Sequence, residues 1–324
     1  MKWIDKNIYF ETSAVNHMAE LFTWRDAVAT KERQAEKGNK YYLSPVTIWE
    51  ILLTSDHHKR ETLIFYCQHL FHEELAASPS ELIVEYINNG CPNIEKQRNL
   101  ASKLPMGQVW KNIVEDKRST FIFDKENLKI KTKLLRDTSK AMAKLVLPIA
   151  AGESVGDGHL KAVADLVELI SKKEGFDSKE PHDVIRRLAL LFIIYILCLE
   201  TDLDISPVTD FWKDQKVDEM IERVAYVLQE LPILTIRGPF IQMALMAYSQ
   251  TFSIGIKPSR GLFLDCLHSI YLTYMDVFLT QDEHFKVLRD AVAPNPLYKQ
   301  KIYLFDELMI NTQKRYIPDP KRID

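Results

Sequence analysis

The sequence predicts an α/β fold built from the two ends of the chain around a long all-helical middle, and three observations predict it. Apolar runs of strand length at "IYF" (8–10) and "YYL" (41–43) each lead straight into a helical stretch, the strand–helix–strand–helix order from which parallel sheets are made. From residue 63 to 250 helix follows helix, with no fixed repeat period. Strand character then returns after residue 251, in "DVFLT" and "KIYLF". The reading is a three-layer α/β/α domain with a parallel sheet, residues 1–62 and 251–310, interrupted by an all-α insertion, 63–250, and followed by a polar tail, 311–324.

Taken in order, "NIYFETS" is a strand that leads into the helix "AVNHMAELFTWRDAVATKERQAEKG", which stops at Gly38, a residue suited to a C-terminal cap. The strand "KYYLSP" follows, and Pro45 opens the helix "VTIWEILLTSDHHKRETLIFYCQHLF" at the first turn, where a proline costs no hydrogen bond. The helical middle is punctuated at "SPSE", "NNGCPN", "AAGESVGDGH", "EGFDSKEP" and "TDLDISP". Its longest apolar run, residues 188–199, is short for a bilayer span and reads as a helix buried on all sides. Near the C-terminus "GIKPSRG" is a loop, "LFLDCLHSIYLTYM" a helix, and "DVFLTQDEHF" and "KIYLFDELM" are strands.

Composition narrows the function classes. With 42 basic against 45 acidic residues the net charge is −3, so no global basic field marks a nucleic-acid binder and any phosphate-binding surface is local. Four cysteines, Cys67, Cys91, Cys198 and Cys266, include no C-x-x-C pair; this opposes a structural zinc or a disulfide framework and fits a reducing cytoplasm. The N-terminal segment lacks the pattern of a secretory signal, and no membrane partner is expected.

Against this ordinary background, acids stand where apolar residues belong. Glu11 ends the first strand, Glu50 interrupts "TIWEILL", Asp265 interrupts "LFLDCLH", and Asp282 follows "VFLT". Ligands of open parallel sheets gather at the carboxyl ends of strands, where Glu11 and Asp282 both lie. Two carboxylates about 4 Å apart repel by about 4 kcal/mol at an effective dielectric near 20, so a converging set needs cations. Hard divalent ions, Mg2+ or Mn2+, take such oxygen ligands and stabilise charge on a phosphate in flight. Phosphodiester hydrolysis is the chemistry that suits the set.

The order "YFETS", "YLSPVTIWEIL", "RGLFLDCLHSIYLTYMDVFLTQDEHF" resembles the PIN domain, a metal-dependent nuclease fold that includes the ribonuclease toxins of toxin–antitoxin pairs. The resemblance covers residues 5–60 and 255–310 and departs from the family at Glu11, where aspartate is usual. It implies an endoribonuclease that hydrolyses RNA with a metal-bound water. Glu11, Glu50, Asp265 and Asp282 would be the catalytic carboxylates and hold the ions, and Thr12, Ser13 and Thr280 would orient them. Lys257, Arg260 and Arg237 are the candidates for contacts to substrate phosphates. The alternative is a weakly active or inactive scaffold whose helical insertion docks a partner or inhibitory protein; glutamate at position 11 favours it.

Other tempting motifs fall away. The histidines of "HHKRE" read as an exposed helix face, "CQHLFHEEL" lacks the second histidine of H-E-x-x-H, "ETDLDIS" lacks the glycine and final glutamate of a calcium loop, and "GESVGDGH" has no G-K-[ST]. Asp276 reads as a turn residue ahead of its strand.

Overall fold

The computed structural model describes residues 3–71, 74–89, 101–105, 125–156, 158–198, 228, 233–234, 238–253, 261–292 and 296–308. The chain is a mixed α/β protein, mostly helical, with a four-stranded parallel sheet. It divides into two compact units, Met1–Ala76 with Met275–Asp324 and, between them, Ala77–Tyr274. Both borders lie later than the sequence reading places them, after 62 and after 250. Packing is the reason at each. Leu63, Tyr66, Cys67 and Leu70 bury their side chains, and Tyr66 donates to the Met18 carbonyl (3.4 Å), which ties that helix to the sheet unit. Near the second border, Cys266 donates to the Met243 carbonyl (3.5 Å) and keeps its helix in the helical unit.

In the first unit the strands are β1 (Asn7–Phe10), β2 (Lys40–Tyr42), β3 (Glu74–Ala76), β5 (Val277–Thr280) and β6 (Ile302–Leu304), with β4 (Ala101–Pro105) in the second unit. The sheet order is β2-β1-β5-β6, every pair parallel, with Ile8 beside Tyr41 and Val277, and Leu279 beside Tyr303. A central parallel strand is covered on both faces, which is why β1 and β5 read as unbroken apolar runs; Ile8, Tyr9, Phe10 and Val277 to Leu279 are all buried. Asp276 is the turn residue expected: its carboxylate accepts from Asn7 N (2.9 Å) and locks the start of β5 onto β1.

Each long helix predicted in this unit is two helices. The first is α1 (Thr12–Leu21) and α2 (Trp24–Ala35), parted at Thr23, whose hydroxyl accepts from Asp26 N (3.3 Å) as an N-cap. The second is α3 (Pro45–Leu53) and α4 (His57–Leu70), parted at Asp56, whose carboxylate accepts from Lys59 N (3.0 Å). Gly38 ends the α2 turn at φ 76°, where a side chain would be strained and would also collide with Asp5.

The second unit contains α5 (Pro79–Asn88), α6 (Lys125–Ala151), α7 (Gly158–Glu174), α8 (Pro181–Cys198), α9 (Pro239–Tyr248), α10 (Leu262–Ser269) and α11 (Tyr271–Tyr274). Helix α8 lies against α6, α7 and α9, and its residues Leu188 to Ile194 are fully buried. At its polar end Arg187, itself buried, donates to the Ile149 carbonyl (3.1 Å) and pairs with Glu168 (2.5 Å). Among the described residues no helix is long and apolar enough to cross a membrane. "ETDLDIS", the loop "IKPSR" and Cys91 lie outside the described residues. Cys67 and Cys266 are buried free thiols.

Candidate functional site

Glu11 sits one residue past β1, at the carboxyl end of the sheet. Its N–H still bonds to the Leu279 carbonyl (3.0 Å), and its backbone at φ −72°, ψ 158° is the N-cap of α1. Its carboxylate oxygen Oε2 accepts from Ser13 N (2.9 Å), from the Ser13 hydroxyl, and from Thr280 Oγ1 (3.0 Å). The side chain is buried, so those donors replace water. The positive end of α1 adds to them.

Glu50 comes from α3, which is aimed by its own cap. Ser44 accepts from Thr47 N (3.1 Å), Pro45 fills the first turn, and the Thr47 hydroxyl reaches back to the Phe10 carbonyl (3.3 Å). Half-buried Glu50 accepts from the Thr12 hydroxyl, so the consecutive residues Thr12 and Ser13 each hold one carboxylate. A carboxylate oxygen of Glu11 and one of Glu50 lie within 4.8 Å of each other.

Asp282 is tied to this pair at one remove. Its N–H donates to Thr280 Oγ1 (3.0 Å), the same oxygen that donates to Glu11, and its carboxylate caps α12 (Glu283–Val287) by accepting from His284 N (2.6 Å). Among the described residues its oxygens do not join Glu11 and Glu50 within 4.8 Å.

Asp265 belongs to the second unit. It stands in the first turn of α10, where Gln250 Nε2 donates to its Oδ2 (2.5 Å) from a π-helical turn, Ser249–Ser253. Lys257, Arg260 and Arg237 lie outside the described residues.

Three residues linked to Ser13 by hydrogen bonds, Gln281, Asp306 and His17, were not singled out by the sequence. Gln281 N donates to Ser13 Oγ (2.8 Å), and the Gln281 amide and Asp306 exchange two bonds, Nε2 to Oδ2 (2.7 Å) and Asp306 N to Oε1 (3.2 Å). His17 Nε2 bonds to Asp306 Oδ1 (2.6 Å). One local signal existed: His17 follows Ser13 by four residues and therefore shares its face of α1.

Glu11 and Glu50 are the residues here that could hold a hard cation. Oxygens sharing one octahedral ion at about 2.1 Å stand roughly 3.0 Å apart in cis and 4.2 Å in trans, and the Glu11 and Glu50 oxygens, within 4.8 Å, are close to that spacing. Carboxylates already oriented by Thr12, Ser13 and Thr280 lose little further freedom on binding. No protein-family model matches the chain, and neither a curated protein nor a solved structure shows significant similarity to it.

Proposed function

We propose that the protein is a divalent-metal-dependent phosphodiesterase of PIN-like design, acting as an endoribonuclease. The observation that carries this reading is the pair Glu11 and Glu50, with carboxylate oxygens within 4.8 Å at the carboxyl end of a parallel sheet and hydroxyl donors on each. Two ionised carboxylates at 4.8 Å repel by about 3.5 kcal/mol at an effective dielectric of 20. Nothing in the folding of a strand end requires that proximity. When bound, Mg2+ or Mn2+ would neutralise the pair and offset the charge that builds on a phosphate during hydrolysis.

The chain's own groups set the geometry. Thr12 and Ser13 fix the two carboxylates from one turn of α1, and Thr280 couples Glu11 to Asp282. Asp265 enters the reading through its place in the sequence order alone, as do Lys257, Arg260 and Arg237 as phosphate contacts. Water is the attacking group, and no covalent enzyme intermediate is involved.

The test is manganese calorimetry on wild type and Glu50→Gln, together with cleavage of a mixed RNA pool in manganese or EDTA. Wild type should bind manganese and cleave, and Glu50→Gln should do neither at the same metal concentration. Equal manganese affinity in the two proteins would refute the reading. Binding without cleavage by wild type would favour the scaffold alternative.

A further inference from the structure

The dyad His17–Asp306 has no part in the carboxylate chemistry, yet it is wired to it. From Glu11 the path runs through the Ser13 hydroxyl to Gln281 N (2.8 Å), along the Gln281 side chain to Asp306 (2.7 Å), and on to His17 (2.6 Å). The last bond joins residues 289 positions apart in the chain, and every member stands at the carboxyl end of β1, β5 or β6 or on the first turns of α1. His17 lies four residues beyond Ser13, so its ring stands about 6 Å further along the same face of the helix.

The tautomer follows from the partner. A carboxylate only accepts, so Nε2 carries the hydrogen in the 2.6 Å bond to Asp306. The remaining ring nitrogen, Nδ1, is the one that Asp306 does not engage. Phe305 packs edge-on to the ring at 5.9 Å, and a quarter of the His17 side chain stays open to solvent. The ring is thus held at one nitrogen by a carboxylate, braced by an aromatic edge, and accessible. That is the arrangement in which a carboxylate orients an imidazole for proton transfer. For a purely structural tie, a neutral amide would serve as well.

We infer that His17 is the proton donor to the leaving oxygen of the phosphodiester, with Asp306 as the residue that positions it; the inference rests on the hydrolytic reading above. In the step, the water oxygen forms a bond to phosphorus and gives a proton to solvent. The bond from phosphorus to the leaving ribose oxygen breaks with its electron pair on that oxygen, which takes the proton from His17 Nδ1. The imidazole left neutral regains a proton from solvent.

A leaving group that is already stable as an anion needs no such proton, which supplies the test. Cleavage of RNA and of bis(p-nitrophenyl) phosphate is measured in manganese for wild type, His17→Gln and Asp306→Asn. His17→Gln keeps an N–H for Asp306 but cannot release a proton. It should slow RNA cleavage by about 100-fold or more, the usual size of a lost general acid, and slow the aryl ester by less than about fivefold. Asp306→Asn, at an exposed position, should move the same ratio in the same direction by a smaller factor. An unchanged RNA-to-aryl ratio in both variants overturns the inference while leaving the hydrolytic reading intact. Should wild type cleave neither substrate, the reading fails and the inference with it.

Discussion

Thr280→Val replaces a fully buried hydroxyl by a methyl group of nearly the same shape, and its effect can be worked from two bonds. Thr280 Oγ1 donates to the Glu11 carboxylate (3.0 Å) and accepts from Asp282 N (3.0 Å). Losing a donor to a charged group costs about 1.5 to 3 kcal/mol, and leaving a buried N–H unsatisfied costs about 1 kcal/mol more. The sum is about 2.5 to 4 kcal/mol against the first unit. Thr280→Ser keeps both bonds and loses only a methyl, so it should cost about 1 kcal/mol. Urea unfolding in EDTA, followed by far-ultraviolet circular dichroism, reads the difference without any metal. At a slope of about 2 kcal/mol/M, the valine variant should unfold roughly 1 to 2 M earlier. A second readout is local: exchange of the Asp282 amide hydrogen should accelerate in the valine variant and stay slow in the serine variant. If valine and serine are equally stable, or the amide exchanges alike in both, the hydroxyl does not hold the Glu11 end of the sheet and the account of the site is wrong.

Glu11→Asp shortens the acid by one methylene and draws it away from Thr280, so metal-dependent RNA cleavage should change by about tenfold or more, upward if aspartate suits the ion better and downward if the surroundings are fitted to glutamate; an unchanged rate with unchanged manganese affinity would remove Glu11 from the site. In the second unit, the hydrogen bond from Arg187 holds the Glu168 carboxyl below its usual range, against the opposing pull of burial. A depressed carboxylate contributes stability that is present above its unfolded value near 4.5 and is lost as pH falls through its folded value. Melting of wild type should therefore drop faster below pH 4.5 than melting of Glu168→Gln, and parallel curves would refute the pairing. Ile194→Asp puts a charge at the centre of α8, where no water reaches, and should yield insoluble or unfolded protein; a stable soluble variant would show that this helix is not core.

Much of the sheet was legible because its strands are short and apolar on both faces. "IYF" and "VFLT" are recognisable without knowing their partners; β1 ends at Phe10, just before Glu11, and β5 at Thr280, short of the "QDEHF" that the sequence reading runs on with it. The helix breaks were legible in principle, since Thr23 precedes Asp26 at the capping distance and Asp56 precedes a fresh helical run. Apolar residues on both sides masked the first break, with Leu21 and Phe22 before Thr23 and Trp24 after it. The borders of the units were not legible, because they depend on which body buries Tyr66 or Cys266, and local pattern is silent about packing partners. In the candidate site, the acids announced themselves by standing in apolar company. His17, Gln281 and Asp306 are polar residues in polar places, and only the fold brings them together.

The sheet order β2-β1-β5-β6 also sets a timetable. Strands β1 and β2 leave the ribosome before the second unit, but the strand that covers the other edge of β1 is separated from them by that unit, Ala77–Tyr274. At translation rates of about 5 to 20 residues per second, those roughly 200 residues take about 10 to 40 s to make. Throughout that interval the apolar edge Ile8-Tyr9-Phe10 has no strand to pair with, and an unpaired apolar edge is what aggregation recruits. The second unit has time to fold on its own before β5 appears, whereas the first cannot close its sheet until β5 and β6 have been made. A permuted chain that begins at Met275, runs through β6 and then continues into β1 would synthesise the sheet in one piece and remove the wait.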